Sequence, residues 1–226
     1  MSVALHIAVD GPAASGKSVV CRILADRLHL LYLDTGVLYR CVAYAALRAG
    51  ADPSDANACG LLAEMLPVEL KPPSEIDGRQ ETILLDGRDI TWEIRSQAVT
   101  AIVSAVAAHK QVRQTVDTFY RNFAVNKGVI MAGRDIAAVV MPEAQLKIFL
   151  TASLSVRAQR RAVDLQKQNP GQLVLVEDVL AKLAKRDEMD APNTKIVPDA
   201  LIIDSSELTI EQVVDQIVEA AHVIYR

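Results

Sequence analysis

Residues 11–18 read Gly-Pro-Ala-Ala-Ser-Gly-Lys-Ser and satisfy G-x-x-x-x-G-K-[ST] at every fixed position. An apolar, strand-like stretch at 5–9 precedes the octet, and a helical pattern over 19–28, apolar at Val20, Ile23, Leu24 and Leu28, follows it. A glycine-rich turn between a strand and a helix points successive backbone N–H groups inward at the helix N-terminus, which makes a cradle for phosphate. Gly11, Pro12, Ala13, Ala14, Ser15, Gly16, Lys17, Ser18 and Val19 are therefore the expected contacts of a nucleoside triphosphate. Lys17 would sit on the β- and γ-phosphates as a point charge, with the Ser18 hydroxyl as a ligand of the accompanying Mg²⁺.

A strand, cradle and helix of this kind open a parallel sheet. Further runs rich in Ile, Val and Leu at 30–33, 128–132, 146–150 and 200–203 supply its other strands, with helical patterns between most of them. The expectation is an α/β fold with a parallel five-stranded sheet flanked by helices, its ligands at the carboxyl ends of the strands. Between about 52 and 91 the alternation breaks, punctuated by Pro53, Pro67, Pro72 and Pro73, and 68–71 with 82–85 reads as an antiparallel pair. Helical patterns at 93–108 and 112–125 follow it. The stretch 155–170 is polar and carries Arg157, Arg160 and Arg161, cations that a mobile flap over phosphates would need.

With 226 residues and 51% hydrophobic side chains, the chain can bury a large aliphatic core. A net charge of −4 argues against DNA or RNA as partner, since a polyanion needs a basic face. Cys21, Cys41 and Cys59 form neither a disulfide framework nor a zinc spacing. No stretch approaches the ~18 apolar residues that span a bilayer, so the expectation is a cytoplasmic, membrane-free protein.

Leu33-Asp34-Thr35-Gly36-Val37-Leu38-Tyr39-Arg40, placed just after the second strand, narrows the chemistry. Here the chain resembles the cytidylate kinase family, the bacterial P-loop nucleoside monophosphate kinases that phosphorylate CMP and dCMP from ATP. Further blocks match in order: Asp10-Gly11-Pro12, Glu93-Ile94-Arg95-Ser96-Gln97 with Ser104 and Arg113, Gly133-Arg134-Asp135, the run 147–153, and Arg186-Asp187-Glu188-Met189-Asp190. The resemblance implies one P-loop kinase domain over 1–226. Its core would be 1–51, 92–154 and 171–226, with a monophosphate-binding insert at about 52–91 and a lid at about 155–170. It also implies a monomer.

Cytosine presents acceptors at O2 and N3 and a donor at its amine, so its pocket needs a cation or amide beside a carboxylate or hydroxyl. By resemblance Arg113, Asp135 and Ser104 are that set, and Thr35 and Tyr39 are further substrate contacts. Arg40, Arg95 and Arg134 are candidates for the acceptor phosphate, because guanidinium forks orient an attacking oxygen and offset repulsion between two anions. Arg157, Arg160 and Arg161 resemble lid arginines that neutralise transition-state charge, and Lys17 and Arg134 join them as catalytic candidates. Arg186 and Asp190 match residues that hold the ribose and its surroundings.

The chain also departs from the pattern. Ala132 stands where relatives usually carry an acid, leaving Asp34 as the outer-shell magnesium carboxylate; Ala137-Ala138 replaces Gly-Thr. The loop after Asp190 is short and lacks an expected arginine, for which Asn193 or Lys195 would have to stand in. Two alternatives are a related kinase of UMP or shikimate type, against which the base-reading set argues in the case of shikimate, and an ATP-binding regulator with weakened turnover.

Overall fold

The computed structural model describes residues 4–71, 73–79, 81–168, 171 and 173–224. Pro72 and Gln80 of the insert, Asn169 and Pro170 at the end of the lid stretch, Gln172, and the outermost core residues at 1–3, 225 and 226 lie outside them. The chain forms two compact units, one of residues 1–34 with 121–226, the other of residues 35–120.

The first unit opens with β1 (His6–Asp10), the phosphate loop and α1 (Lys17–Leu28). The helix begins at Gly16, in left-handed conformation, and ends at His29, also left-handed, whose N–H returns to the Ala25 carbonyl. β2 (Leu31–Asp34) follows.

The second unit starts with α2 (Gly36–Ala49) and α3 (Ala56–Glu64), the latter capped by the Asp55 carboxylate on the N–H groups of Asn57 and Ala58. β3 (Val68–Lys71), β4 (Thr82–Leu85) and the short β5 (Arg88–Asp89) make an antiparallel sheet in the order β3-β4-β5. Ile83, Ile90 and Ile94 pack with Val37 and Cys41 to form its core. The pattern read as one helix over 93–108 is split: Glu93–Arg95 is a separate 3-10 turn, and α4 (Gln97–Ala108) starts afresh because the Ser96 hydroxyl caps the Val99 N–H. α5 (Lys110–Ala124) carries the chain back to the first unit.

There, β6 (Val129–Gly133), β7 (Leu146–Thr151) and β8 (Leu201–Asp204) complete a parallel sheet in the order β2-β6-β1-β7-β8. All five strands lie within one residue of their sequence-based bounds. The interior strands β1 and β6 are buried almost throughout, as their unbroken aliphatic runs require. Ile7, Val9, Ile130, Ile148 and Leu150 pack against α1 and α8 (Ile210–Ile224) through Leu24, Val213, Val214 and Ile217. α6 (Leu154–Gln168) and α7 (Val176–Asp190) form a smaller core, with Ala158, Ala162, Val179 and Leu183 closing on Ala13 of the phosphate loop.

Candidate functional site

The phosphate loop is held by its own geometry. Gly11 has φ +150°, and a Cβ there would lie 2.0 Å from the Leu150 carbonyl oxygen, so only glycine lets the loop cross β7 this closely. Lys17 is buried, and its ammonium donates to the carbonyls of Gly11 and Pro12 at 2.7 Å each and to Ser15 Oγ at 3.4 Å. Three acceptors match the three protons of the charged form. Burial, and then the neighbouring Arg134, nevertheless hold the Lys17 pKa well below the usual lysine range.

Ser18 Oγ donates to Asp34 Oδ2 at 3.3 Å, so the two residues singled out for magnesium meet at the carboxyl end of β2. Asp34 is the register partner of Ala132, which in turn pairs with Val9. The carboxylate on β2 thus lies one strand across from Ala132 of β6. Two hard oxygen donors of this kind suit Mg²⁺.

A carboxylate that the motif reading did not single out lies beneath the loop. Asp10 is 2% exposed, and its oxygens accept from the N–H groups of Ile136 and Ala137 at 2.7 and 2.9 Å. It ties β1 to the turn at Ile136–Val140, where Ala137-Ala138 resides. Burial pushes its pKa up to about 6 against the lowering pull of those two N–H groups.

The arginines of this unit take different parts. Arg134 donates from Nε to Asp190 Oδ2 and from Nη1 to the Gly11 carbonyl, both at 2.9 Å. Arg186 Nε lies 3.6 Å from the same Asp190 oxygen, buried and without a hydrogen-bond partner among the described residues. Burial, then Arg134, pushes the Arg186 pKa down. Arg157 is 6% exposed and anchored by the carbonyls of Ala152 and Ala13 at 3.0 and 3.1 Å and by Asp187 Oδ2 at 2.7 Å. Arg160 donates to Ser205 Oγ and to the Ser205 carbonyl at 3.0 and 2.6 Å. Arg161 makes no hydrogen bond or ion pair among the described residues, so its guanidinium is uncommitted. Asp135, buried, precedes the Ile136–Val140 turn.

The remaining acceptor candidates belong to the second unit. Thr35, buried, immediately precedes α2. Arg113 of α5 stacks over the Tyr39 ring of α2 at 5.8 Å, and the Tyr39 hydroxyl donates to Asp117 Oδ1 at 3.5 Å. Ser104 lies half-buried on α4. Arg40 Nη1 donates to the Ile94 carbonyl and to Thr100 Oγ1 at 3.1 Å each, and Arg95 Nη2 donates to Glu81 Oε1 at 2.9 Å. The Cys41 thiol, pushed up to about 12 by burial, also feels Arg95 and Glu81.

Asp117, Asp187, Ser205 and Glu81 escape a reading of the sequence for site residues. Two carry a signal in their spacing, since Asp117 is four residues beyond Arg113 and Asp187 three before Asp190 on one helix. Ser205 and Glu81 have none.

Among known proteins, the sequence model of the cytidylate kinase family matches residues 7–223. A cytidylate kinase of Herpetosiphon aurantiacus is 46% identical over 207 residues, covering 92% of this chain and 90% of its own length. One from Chloroflexus aggregans is 45% identical over 209 residues, with the same coverage of 92% and 90%. A bifunctional pantoate ligase/cytidylate kinase of Parasynechococcus marenigrum is 39% identical over 94% of this chain and 42% of its own. Among solved structures, shikimate kinase from Bacteroides thetaiotaomicron gives a TM-score of 0.51 at 14% identity, covering 96% of this chain and 98% of that one, which is a likeness of fold alone.

Proposed function

The chain belongs to the cytidylate kinase family, and from that membership we propose that it transfers the γ-phosphoryl group of ATP in line to the phosphate of CMP or dCMP, giving CDP or dCDP. The observation that carries this reading is the family match across 7–223, a span holding the phosphate loop and every acceptor candidate.

The chemistry asks little covalent work of the protein. An acceptor phosphate is already largely ionised at pH 7, so positioning and charge neutralisation carry the rate rather than a strong general base. Lys17 and the backbone N–H groups of 11–19, Pro12 excepted, hold the triphosphate. Ser18 would hold Mg²⁺ directly and Asp34 through its water shell; when bound with ATP, the ion neutralises charge on the β- and γ-phosphates.

Arg40, Arg95 and Arg134 grip the acceptor phosphate. Arg113, Ser104 and Asp135 supply the donor and acceptors that the cytosine edge demands, with Tyr39 beneath Arg113 and Thr35 as a further substrate contact, while Arg186 and Asp190 hold the ribose. Of the lid arginines, Arg161 is the one free to meet the transferring group, whereas Arg157 and Arg160 brace the phosphate loop and the turn after β8. The division into core, insert at 52–91 and lid at 155–170 belongs to this proposal.

No helix among the described residues is long and apolar enough to cross a membrane. A cytoplasmic monomer acting on small nucleotides, without nucleic acid, completes the reading. Acceptor-dependent release of ADP from Mg·ATP tests it.

A further inference from the structure

In the second unit, three residues spaced two apart each bond to the segment that leads into Arg95. Asp77 Oδ2 accepts from the Trp92 indole N–H at 2.8 Å, Arg79 pairs with Asp89, and Glu81 Oε1 accepts from Arg95 Nη2 at 2.9 Å. Arg79 also folds back on Asp77, with Nη2 2.7 Å from Oδ2, so the arm is clasped at its base. On its other side Glu81 runs directly into β4, where the buried Thr82 accepts the Ser74 N–H at 2.9 Å. Its carboxylate is thus presented from a point fixed at both ends.

Arg95 needs such a hold. Its guanidinium ends a rotamer-rich stem, and an arginine that must meet a phosphate fork-on loses orientation when that stem is free. The Glu81 carboxylate engages Nη2, while Nε and Nη1 have no hydrogen-bond partner among the described residues. Arg40 reaches the same turn through the Ile94 carbonyl, so both arginines are indexed to one piece of backbone. The pair is partly shielded, with side chains 34% and 19% exposed, and is stronger than a fully solvated one.

We propose that Glu81 is a positioning residue for the kinase reaction: its carboxylate holds Arg95 with Nε and Nη1 directed to the acceptor phosphate. The inference rests on the assignment of Arg95 to that phosphate. Glu81 itself touches no substrate and acts through the guanidinium.

Steady-state kinetics on Mg·ATP with CMP, for Glu81→Ala, Glu81→Gln, Arg95→Ala and the Glu81→Ala/Arg95→Ala double variant, tests it. Arg95→Ala should raise the KM for CMP by about tenfold or more and leave the KM for ATP in place. Glu81→Ala should raise the CMP KM by about fivefold, Glu81→Gln by less because its amide oxygen still accepts from Nη2, and the double variant should be no worse than Arg95→Ala. Trp92, the only tryptophan, is bonded to the arm through Asp77, so unchanged emission shows the arm in place. Should Glu81→Ala shift that emission, Glu81→Gln carries the comparison. An unchanged CMP KM in the Glu81 variants, or an effect that persists in the Arg95→Ala background, overturns the positioning role alone. An unchanged CMP KM in Arg95→Ala overturns the assignment beneath it, and the inference with it.

Discussion

The Ser18 hydroxyl and the Asp34 carboxylate meet at 3.3 Å, from the first turn of α1 and the last residue of β2. The register places Asp34 beside Ala132 of β6. Asp34→Ala should therefore lower kcat by about 10–100-fold and raise the Mg²⁺ concentration needed for half-maximal rate, the usual cost of losing an outer-shell partner. A magnesium titration of turnover reads it. An unchanged requirement removes Asp34 from the metal's surroundings.

Gly11 and Gly16 both have positive φ, but only Gly11 faces an obstacle: a Cβ there would stand 2.0 Å from the Leu150 carbonyl oxygen, whereas nothing lies within 4 Å of one at Gly16. Gly16→Ala should cost only the conformational strain of about 1–2 kcal/mol. Gly11→Ala adds a backbone clash and should cost clearly more, by thermal unfolding. Equal losses would mean that the close crossing of β7 is not what demands glycine.

The Asp10 carboxyl rises from 3.8 to about 6 on folding, chiefly through burial. A raised carboxyl means that the folded state binds the proton more tightly, so this contribution to stability is complete below about pH 3.8 and is lost as pH rises through about 6. Asp10→Asn should thus gain relative to the parent between pH 4 and 7, by on the order of 2–3 kcal/mol. Thermal melts of both proteins across that range check it; a difference that is flat with pH contradicts the raised value.

Much of this architecture is legible in the sequence. Continuous aliphatic runs mark the five parallel strands, and the short apolar stretches at 68–71 and 82–85 mark β3 and β4 to the residue. The break at Ser96 is hidden because apolar periodicity runs through it, although a serine three residues before the bonded Val99 N–H is a capping signal. In the candidate site, the roles of Lys17 and Ser18 can be read from the sequence because both lie within the phosphate-loop motif, whereas the approach of Asp34 to Ser18 comes from the fold. The burial of Arg157 is not, because its anchors are two carbonyls and a carboxylate thirty residues further on, and periodicity assigns a charged helix residue to solvent.

Lys17→Met and Asp135→Ala should fail in different ways. The first removes the cation from the triphosphate and should cut kcat by about 10²–10³-fold with the fold intact. The second should raise the CMP KM and blunt discrimination against UMP while the ATP KM stays in place. Equal losses toward both substrates in Asp135→Ala would displace it from the base-reading set.

The most direct test is ADP release from Mg·ATP measured against CMP, dCMP, UMP, AMP and shikimate as acceptors. Rapid release with CMP and dCMP, and little with the others, is the predicted result, and it would show that Asn193, Lys195 or a rearranged grip serves in place of the arginine missing after Asp190. ATP binding without acceptor-dependent release, or release driven by shikimate, would contradict the assignment.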